Sequence, residues 1–355
     1  MADCPELNDI LRCANELDAS DIHLVCGLPP MVRCRTVMQA LPLTDLSPDG
    51  MRYILESITT ASQIDRFDHQ QDIDFSYAVP GLRSYRVNAH LQRGSVAMAL
   101  RAIRTRVPEL ATLNLPPVIE RLTHLPRGLV LVTGDTGSGK STTLAAMIQA
   151  INHRSKKHVI TLEDPIEYVF DSENCLIEQR ELGSDMPSFA SGLKHALRQD
   201  PDIILVGEMR DLETAALAIT AAETGHLVLS TLHTVNAAQT VERIVDMYPA
   251  GQQNQIRAML ANTLQAVISQ TLFRRVDKEG MVPAIEVLLC TSAVRNIIRE
   301  ARTFEIANVI QTNRAIGMRS LDAAIADLYQ NGMISREDAL AKTSAPERFG
   351  RSQAA

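Results

Sequence analysis

One stretch, GLVLVTGDTGSGKSTTLAAMIQAI from Gly128, constrains the fold more than any other part of the chain. It joins an apolar run to the pattern G-x-x-x-x-G-K-S, Gly134 to Ser141, and passes directly into a run with helical periodicity. A glycine-rich turn between a strand and a helix lets backbone N–H groups and the helix N-terminus converge on an anion, which is the geometry of a phosphate-binding P-loop. The candidate nucleotide-binding residues are therefore Gly134, Asp135, Thr136, Gly137, Ser138, Gly139, Lys140, Ser141 and Thr142. In such a loop Lys140 reaches the β and γ phosphates, and the Ser141 hydroxyl holds Mg²⁺.

From Gly128 onward, apolar strands alternate with longer helices, the pattern of a parallel α/β sheet. LVLVTG, HVITLED, DIILVGE and HLVLSTLHT read as strands, with helices near 139–153, 187–199, 211–224, 236–246 and 251–271. Ligands in open α/β sheets sit beyond the carboxyl ends of the strands. Glu208 ends DIILVGE, so it belongs near the metal and the attacking water, which makes Ser141 and Glu208 the metal candidates. Glu163 and Asp164 end HVITLED, and Pro165 stops that strand. Two strand-end acids beside a bound metal suit hydrolysis.

Two histidines flank a further strand. His226 and His233 are seven residues apart, and along a strand that separates their rings by roughly 20 Å or more. They cannot share a metal ion. His233 lies at the carboxyl end, with the acids and the phosphates, and is the natural γ-phosphate sensor or transition-state donor, the alternative being a structural histidine. His226 lies at the far end, where a structural role is equally consistent with its position.

The 355 residues exceed one average domain. Ahead of the loop, a helix over residues 5–17 and hairpin-rich segments predict a small α+β domain at 1–104. In LRSYRVNAHL, Tyr85, Val87, Ala89 and Leu91 share one face. A proline-rich linker follows at 105–127, then the α/β domain at 128–290 and a mostly helical region at 291–355. Six arginines fall between positions 83 and 106. They form either a solvated sheet face or a source of arginine fingers donated across a subunit boundary, because the P-loop domain has no obvious finger of its own.

Composition narrows the partners. A net charge of −7, 4% aromatic residues and no Trp argue against a nucleic-acid motor. The first residues are acidic where a secretory signal needs a basic region, and no stretch of 18 uncharged apolar residues appears. Six cysteines form no C-x-x-C pair, so reduced thiols in a cytoplasmic protein are expected.

Four segments in order, GDTGSGKST, ITLEDPIEY, LRQDPDIILVGEMRD and AAETGHLVLSTLHT, resemble the Walker A, Asp box, Walker B and His box of the type II/IV secretion ATPases. The resemblance implies a PAS-like N-terminal domain, a RecA-like P-loop domain with a helical C-terminal region, and a homohexamer that binds ATP with Mg²⁺ between subunits. It assigns Glu163 as the catalytic glutamate, Glu208 as the Walker B glutamate, and His226 and His233 to the His box. The trans-acting arginines it implies fall in the segment around Arg86, Arg101 and Arg104. It further implies cytoplasmic placement, peripheral to the inner membrane, on a platform protein at the pilus base, with nucleic acid as an unlikely partner.

Within the family, RRVDKEGMVP carries none of the cysteines of the assembly branch, and AVRNIIRE resembles a helix of the pilus-retraction branch. Retraction is the expected function. The alternatives are an accessory paralogue, which is also a candidate partner, an ATPase of a related secretion or DNA-transfer system, and a low-turnover nucleotide-switched scaffold. Three features depart from the family pattern: Asp135 replaces its usual proline, CRTVMQAL lacks the usual turn of the N-terminal domain, and Phe170 replaces its histidine.

Overall fold

A computed structural model describes residues 5–34, 37–79, 82–103 and 107–349. The chain divides into two compact units, Met1–Arg106 with Pro165–Val169, and Val107–Asp164 with Phe170–Ala355. The expected mixed α/β class holds, with an antiparallel sheet first and a mostly parallel one after it.

In the first unit the strands are β1 (Asp21–Leu24), β2 (Met31–Cys34), β3 (Val37–Ala40), β4 (Asp72–Ala78), β5 (Ser84–Gln92) and β6 (Ser95–Ala102), in the order β3-β2-β1-β6-β5-β4. Every neighbouring pair is antiparallel. Helices α1 (Leu7–Glu16), α2 (Pro48–Ile58) and α3 (Ala61–Gln70) belong to this unit. Leu7, Ile10, Leu11 and Ala14 bury one face of α1, as their i, i+3, i+4, i+7 spacing requires. Tyr85, Val87 and Ala89 are buried on β5, whereas Leu91 is exposed. The core face of that strand therefore ends before its last turn residue.

The second unit is built on β7 (Gly128–Thr133), β8 (His158–Glu163), β9 (Leu176–Glu181), β10 (Ile203–Val206), β11 (Leu227–Leu232), β12 (Leu264–Arg274) and β13 (Met281–Leu289), in the order β13-β12-β7-β11-β10-β8-β9. All pairs are parallel except β12 with β13. Residues of β7, β10 and β11 are buried throughout, because helices cover both faces of a parallel sheet and leave no side for polar residues. Leu129 and Leu131 of β7 join one core, and Val130 and Val132 the other. The helices are α4 (Val118–Leu122), α5 (Lys140–Arg154), α6 (Phe189–Ala196), α7 (Leu212–Glu223), α8 (Ala237–Asp246), α9 (Gln253–Thr263), α10 (Ser292–Arg299), α11 (Ile306–Thr312), α12 (Leu321–Gln330) and α13 (Arg336–Lys342). No helix among the described residues is long and apolar enough to cross a membrane.

One expected element is different. The helix read over 251–271 ends at Thr263, and the chain continues as β12. No proline or glycine marks the change. An unbroken apolar run suits either a buried helix or a buried strand, and tertiary pairing decides: β12 hydrogen-bonds to β7 on one side and β13 on the other. The four strands read from the sequence are accordingly joined by β9, β12 and β13.

Cys13, Cys26, Cys34, Cys175 and Cys290 are free thiols, and Cys4 lies outside the described residues. Burial pushes the Cys290 thiol up to about 12 and also raises that of Cys175, so neither is a reactive thiolate.

Glu286 ties the sheet to two helices. This buried carboxylate on β13 accepts the N–H of Ala237, the first residue of α8, at 2.9 Å, and the N–H of Leu321, the first residue of α12. Two helix N-termini thus share one acid. Burial raises the Glu286 carboxyl above the ordinary range, the two N–H groups oppose the rise, and Asp322 adds to it. A raised folded-state value means the proton is held more tightly in the folded chain. The stabilising contribution is then full below the unfolded value of about 4.3 and is lost as pH climbs through the folded one. Glu286→Gln cannot titrate, so the melting temperature of the native protein is expected to fall relative to this variant as pH rises, measured by thermal unfolding across a pH series. A pH-independent difference contradicts the assignment.

Candidate nucleotide site

Four adjacent parallel strands, β7, β11, β10 and β8, end on one rim. Beyond or at their carboxyl ends stand, in the same order, the glycine loop, His233, Glu208 and Glu163. Parallel pairing forces this alignment, since each strand must run the same way to pair with its neighbour.

The loop requires its glycines. Gly134 has φ +138, Gly137 +80 and Gly139 +88, conformations that L side chains rarely adopt. A Cβ on Gly134 would lie 2.2 Å from the carbonyl oxygen of Gln270 and 2.8 Å from Ser138 Oγ. Ser138 N–H donates to the Asp135 carbonyl at 3.1 Å, closing the turn. Lys140 is buried at the start of α5, and its Nζ donates to the carbonyls of Gly134 at 2.7 Å and Asp135 at 2.9 Å. Asp135, Thr136 and Gly137 are exposed, so the unusual Asp135 carboxylate is screened by solvent.

These residues fit a phosphate. Helix α5 begins with no side-chain cap, and a helix N-terminus turns its first N–H groups toward an anion. Ser138 Oγ is buried without a hydrogen-bond partner. Serine hydroxyl and carboxylate oxygens also suit Mg²⁺, which is commonly held by one or two protein oxygens plus substrate phosphates rather than by a protein cage. No group of three or more His, Cys, Asp or Glu among the described residues forms such a cage.

Glu163 closes β8. Its Oε1 accepts from Thr161 Oγ1 at 2.6 Å and from Gln179 Nε2 at 3.1 Å, and Gln179 Oε1 in turn accepts the Phe170 N–H at 2.9 Å. Glu208 Oε2 lies 2.8 Å from Arg210 Nε and 3.3 Å from His233 Nε2. Arg210 Nη1 also lies 3.8 Å from Asp164 Oδ2, so one guanidinium links the acids beyond two strands.

His226 stands at the opposite end of β11. Its Nδ1 is 3.0 Å from the Ala221 carbonyl, its N–H donates to the same oxygen at 3.1 Å, and its carbonyl accepts the Gly128 N–H at 3.0 Å. Those contacts fix the turn from α7 into β11. Arg86 and Arg101 belong to the first unit, where they are cross-strand partners on β5 and β6. Arg101 Nε donates to Asp21 Oδ1 at 2.8 Å. Burial pushes the Asp21 carboxyl up, but hydrogen bonds from Arg101 and Ser20 outweigh that and hold it below the ordinary range. Arg104 lies outside the described residues.

Sequence reasoning missed Arg210, Thr161, Gln179 and Gln270. Gln270 is 2% exposed on β12. Its Nε2 donates to the Ser138 carbonyl at 2.7 Å, and its Oε1 accepts from Thr143 Oγ1 at 3.0 Å. The helix expected over 251–271 concealed it. The available signal was a glutamine inside the apolar run VISQTLF, since a buried amide needs partners.

A glycine loop that leaves a buried parallel strand for a helix, beside acids at neighbouring strand ends, defines a P-loop domain of the α/β class. Residues 91–320 match the family described as type II/IV secretion system protein, and the chain belongs to that family. It is 45% identical over 344 residues to the type IV pilus retraction ATPase PilT of Pseudomonas aeruginosa, covering 97% of this chain and 100% of that protein. To the type IV pilus ATPase PilU of the same organism it is 39% identical, over 95% of this chain and 88% of that one. A crystal structure of the pilus retraction motor PilT with bound ADP superposes with a TM-score of 0.90 at 43% identity, covering 97% of this chain and 98% of that one.

The loop geometry makes a graded prediction. Gly137 has open space around its Cβ position, whereas Gly134 faces backbone. Gly137→Ala is expected to lower stability by about 1 kcal/mol through its backbone conformation alone, and Gly134→Ala by about 3 kcal/mol. Urea unfolding of the two variants measures this, and equal losses contradict it.

Proposed function

We propose that this chain is a Mg²⁺-dependent ATPase whose hydrolysis cycle drives type IV pilus retraction. The observation that carries this reading is the alignment on one sheet rim of the glycine loop, Glu163, Glu208 and His233. Identity of 45% to a retraction ATPase, against 39% to PilU, supports the retraction motor over the paralogue.

In the proposed reaction, ATP phosphates lie against the N–H groups of residues 134–142 and the Lys140 ammonium. Water attacks the γ-phosphorus in line. A new P–O bond forms, the bond to the bridging oxygen breaks, and ADP leaves with that electron pair. Glu163, held by Thr161 and Gln179, orients the water and accepts its proton. His233, in contact with Glu208, reads the γ-phosphate. Ser141 and Glu208 would hold Mg²⁺, which when bound would neutralise charge on the phosphate oxygens. His226 serves the site from a distance, by fixing the start of β11.

The assembly we infer is a homohexamer in which Arg86, Arg101 or Arg104 of a neighbouring subunit meets the phosphates. Its domains are a PAS-like 1–104, a linker at 105–127, a RecA-like 128–290 and a helical 291–355. Its partners are an inner-membrane platform protein and a paralogous retraction ATPase, engaged from the cytoplasm at the pilus base. The net charge of −7 counts against nucleic acid.

Glu163→Gln is expected to lower phosphate release by about 100-fold or more while ADP binding stays at the native level. Unchanged turnover overturns that role. Deleting the gene is expected to abolish surface motility while pili remain; loss of pili instead contradicts retraction.

A further inference from the structure

Gln270 touches the phosphate loop in three ways that packing alone does not require. Its main-chain oxygen occupies the space a side chain at Gly134 would need, 2.2 Å from the ideal Cβ. Its Nε2 donates to the carbonyl of Ser138, near the other end of the loop. Its Oε1 accepts from Thr143, one turn into α5. One residue therefore supports the loop where it leaves β7, where it turns, and where it becomes helix.

The amide has a single orientation compatible with these contacts. The Ser138 carbonyl only accepts, so it must face Nε2, and Oε1 must then face the Thr143 hydroxyl. A peptide unit is planar and trans, with its carbonyl and N–H on opposite sides. Holding the Ser138 carbonyl toward Gln270 consequently turns the Gly139 N–H to the other side of the peptide, away from β12. That N–H precedes Lys140 at the start of α5, where a P-loop binds phosphate.

We propose that Gln270 is a positioning residue for nucleotide binding, which sets the direction of the Gly139 N–H by gripping the Ser138 carbonyl, with Thr143 fixing the amide. This rests on the nucleotide reading of the loop.

Gln270→Met conserves side-chain volume and removes both side-chain hydrogen bonds. Titration of the full chain with ADP and Mg²⁺ by calorimetry is expected to give about tenfold weaker binding for this variant, an interaction-sized loss. The KM for ATP rises by a similar factor, with kcat near the native value, because the contact serves substrate and transition state alike. Thr143→Val is expected to weaken ADP binding as well, and to add nothing in the Gln270→Met background. The melting temperature of the nucleotide-free variants falls by no more than about 5 °C, the scale set by one or two lost buried hydrogen bonds.

Native ADP affinity in Gln270→Met, with the native protein binding normally, overturns this inference alone. An affinity loss matched by a large fall in melting temperature also overturns it, since that marks general damage. If Gln270→Met does not fold, Thr143→Val decides by the same two readouts. A native protein that binds no ADP overturns the nucleotide reading and this inference with it.

Discussion

Where β7 stops pairing with β12, at Thr133 opposite Ser269, the chain has to leave the sheet past the backbone of Gln270. Only glycine fits there. Thr133 Oγ1 donates to Ser269 Oγ at 2.8 Å in the buried layer just below, so the exit point is fixed by side chains as well as by the ladder. From it follow the positive φ values of the loop, the buried lysine and the uncapped start of α5. Backbone donors left without intrahelical partners are what make this helix end receptive to an anion.

The same parallel pairing determines which side chains surround that anion. Strands that run alike present their carboxyl ends together, so an acid closing β8 and one just after β10 stand on the same rim although 45 residues separate Glu163 from Glu208. Arg210 reaches toward both Glu208 and Asp164, so one cation offsets negative charge beyond both strands. Beyond the rim, Glu286 anchors the N-termini of α8 and α12. The helix that follows His233 is thus joined through one buried carboxylate to the C-terminal helices.

Much of this was legible in the residues. The short apolar runs that precede Gly134, Glu163, Glu208 and His233 alternate with longer helical segments, which read as buried parallel strands, and the glycine spacing between Gly134 and Gly139 named the loop. The first-unit alternation in Tyr85, Val87 and Ala89 was equally plain. What failed was β12, because its apolar run has no breaker before it and satisfies helix and strand periodicity alike. With β12 hidden, so was Gln270. Gln179 and the link from Arg210 to Asp164 were obscured for a different reason: those partners come from other strands, and a contact across a sheet leaves no spacing in the sequence.

Steady-state phosphate release from the purified native chain with ATP and Mg²⁺ tests the central claim most directly. A catalytic site on this rim predicts release that saturates with ATP and continues through many turnovers per chain. ATP binding without continued release of phosphate would contradict it, leaving a nucleotide-bound scaffold instead of a motor.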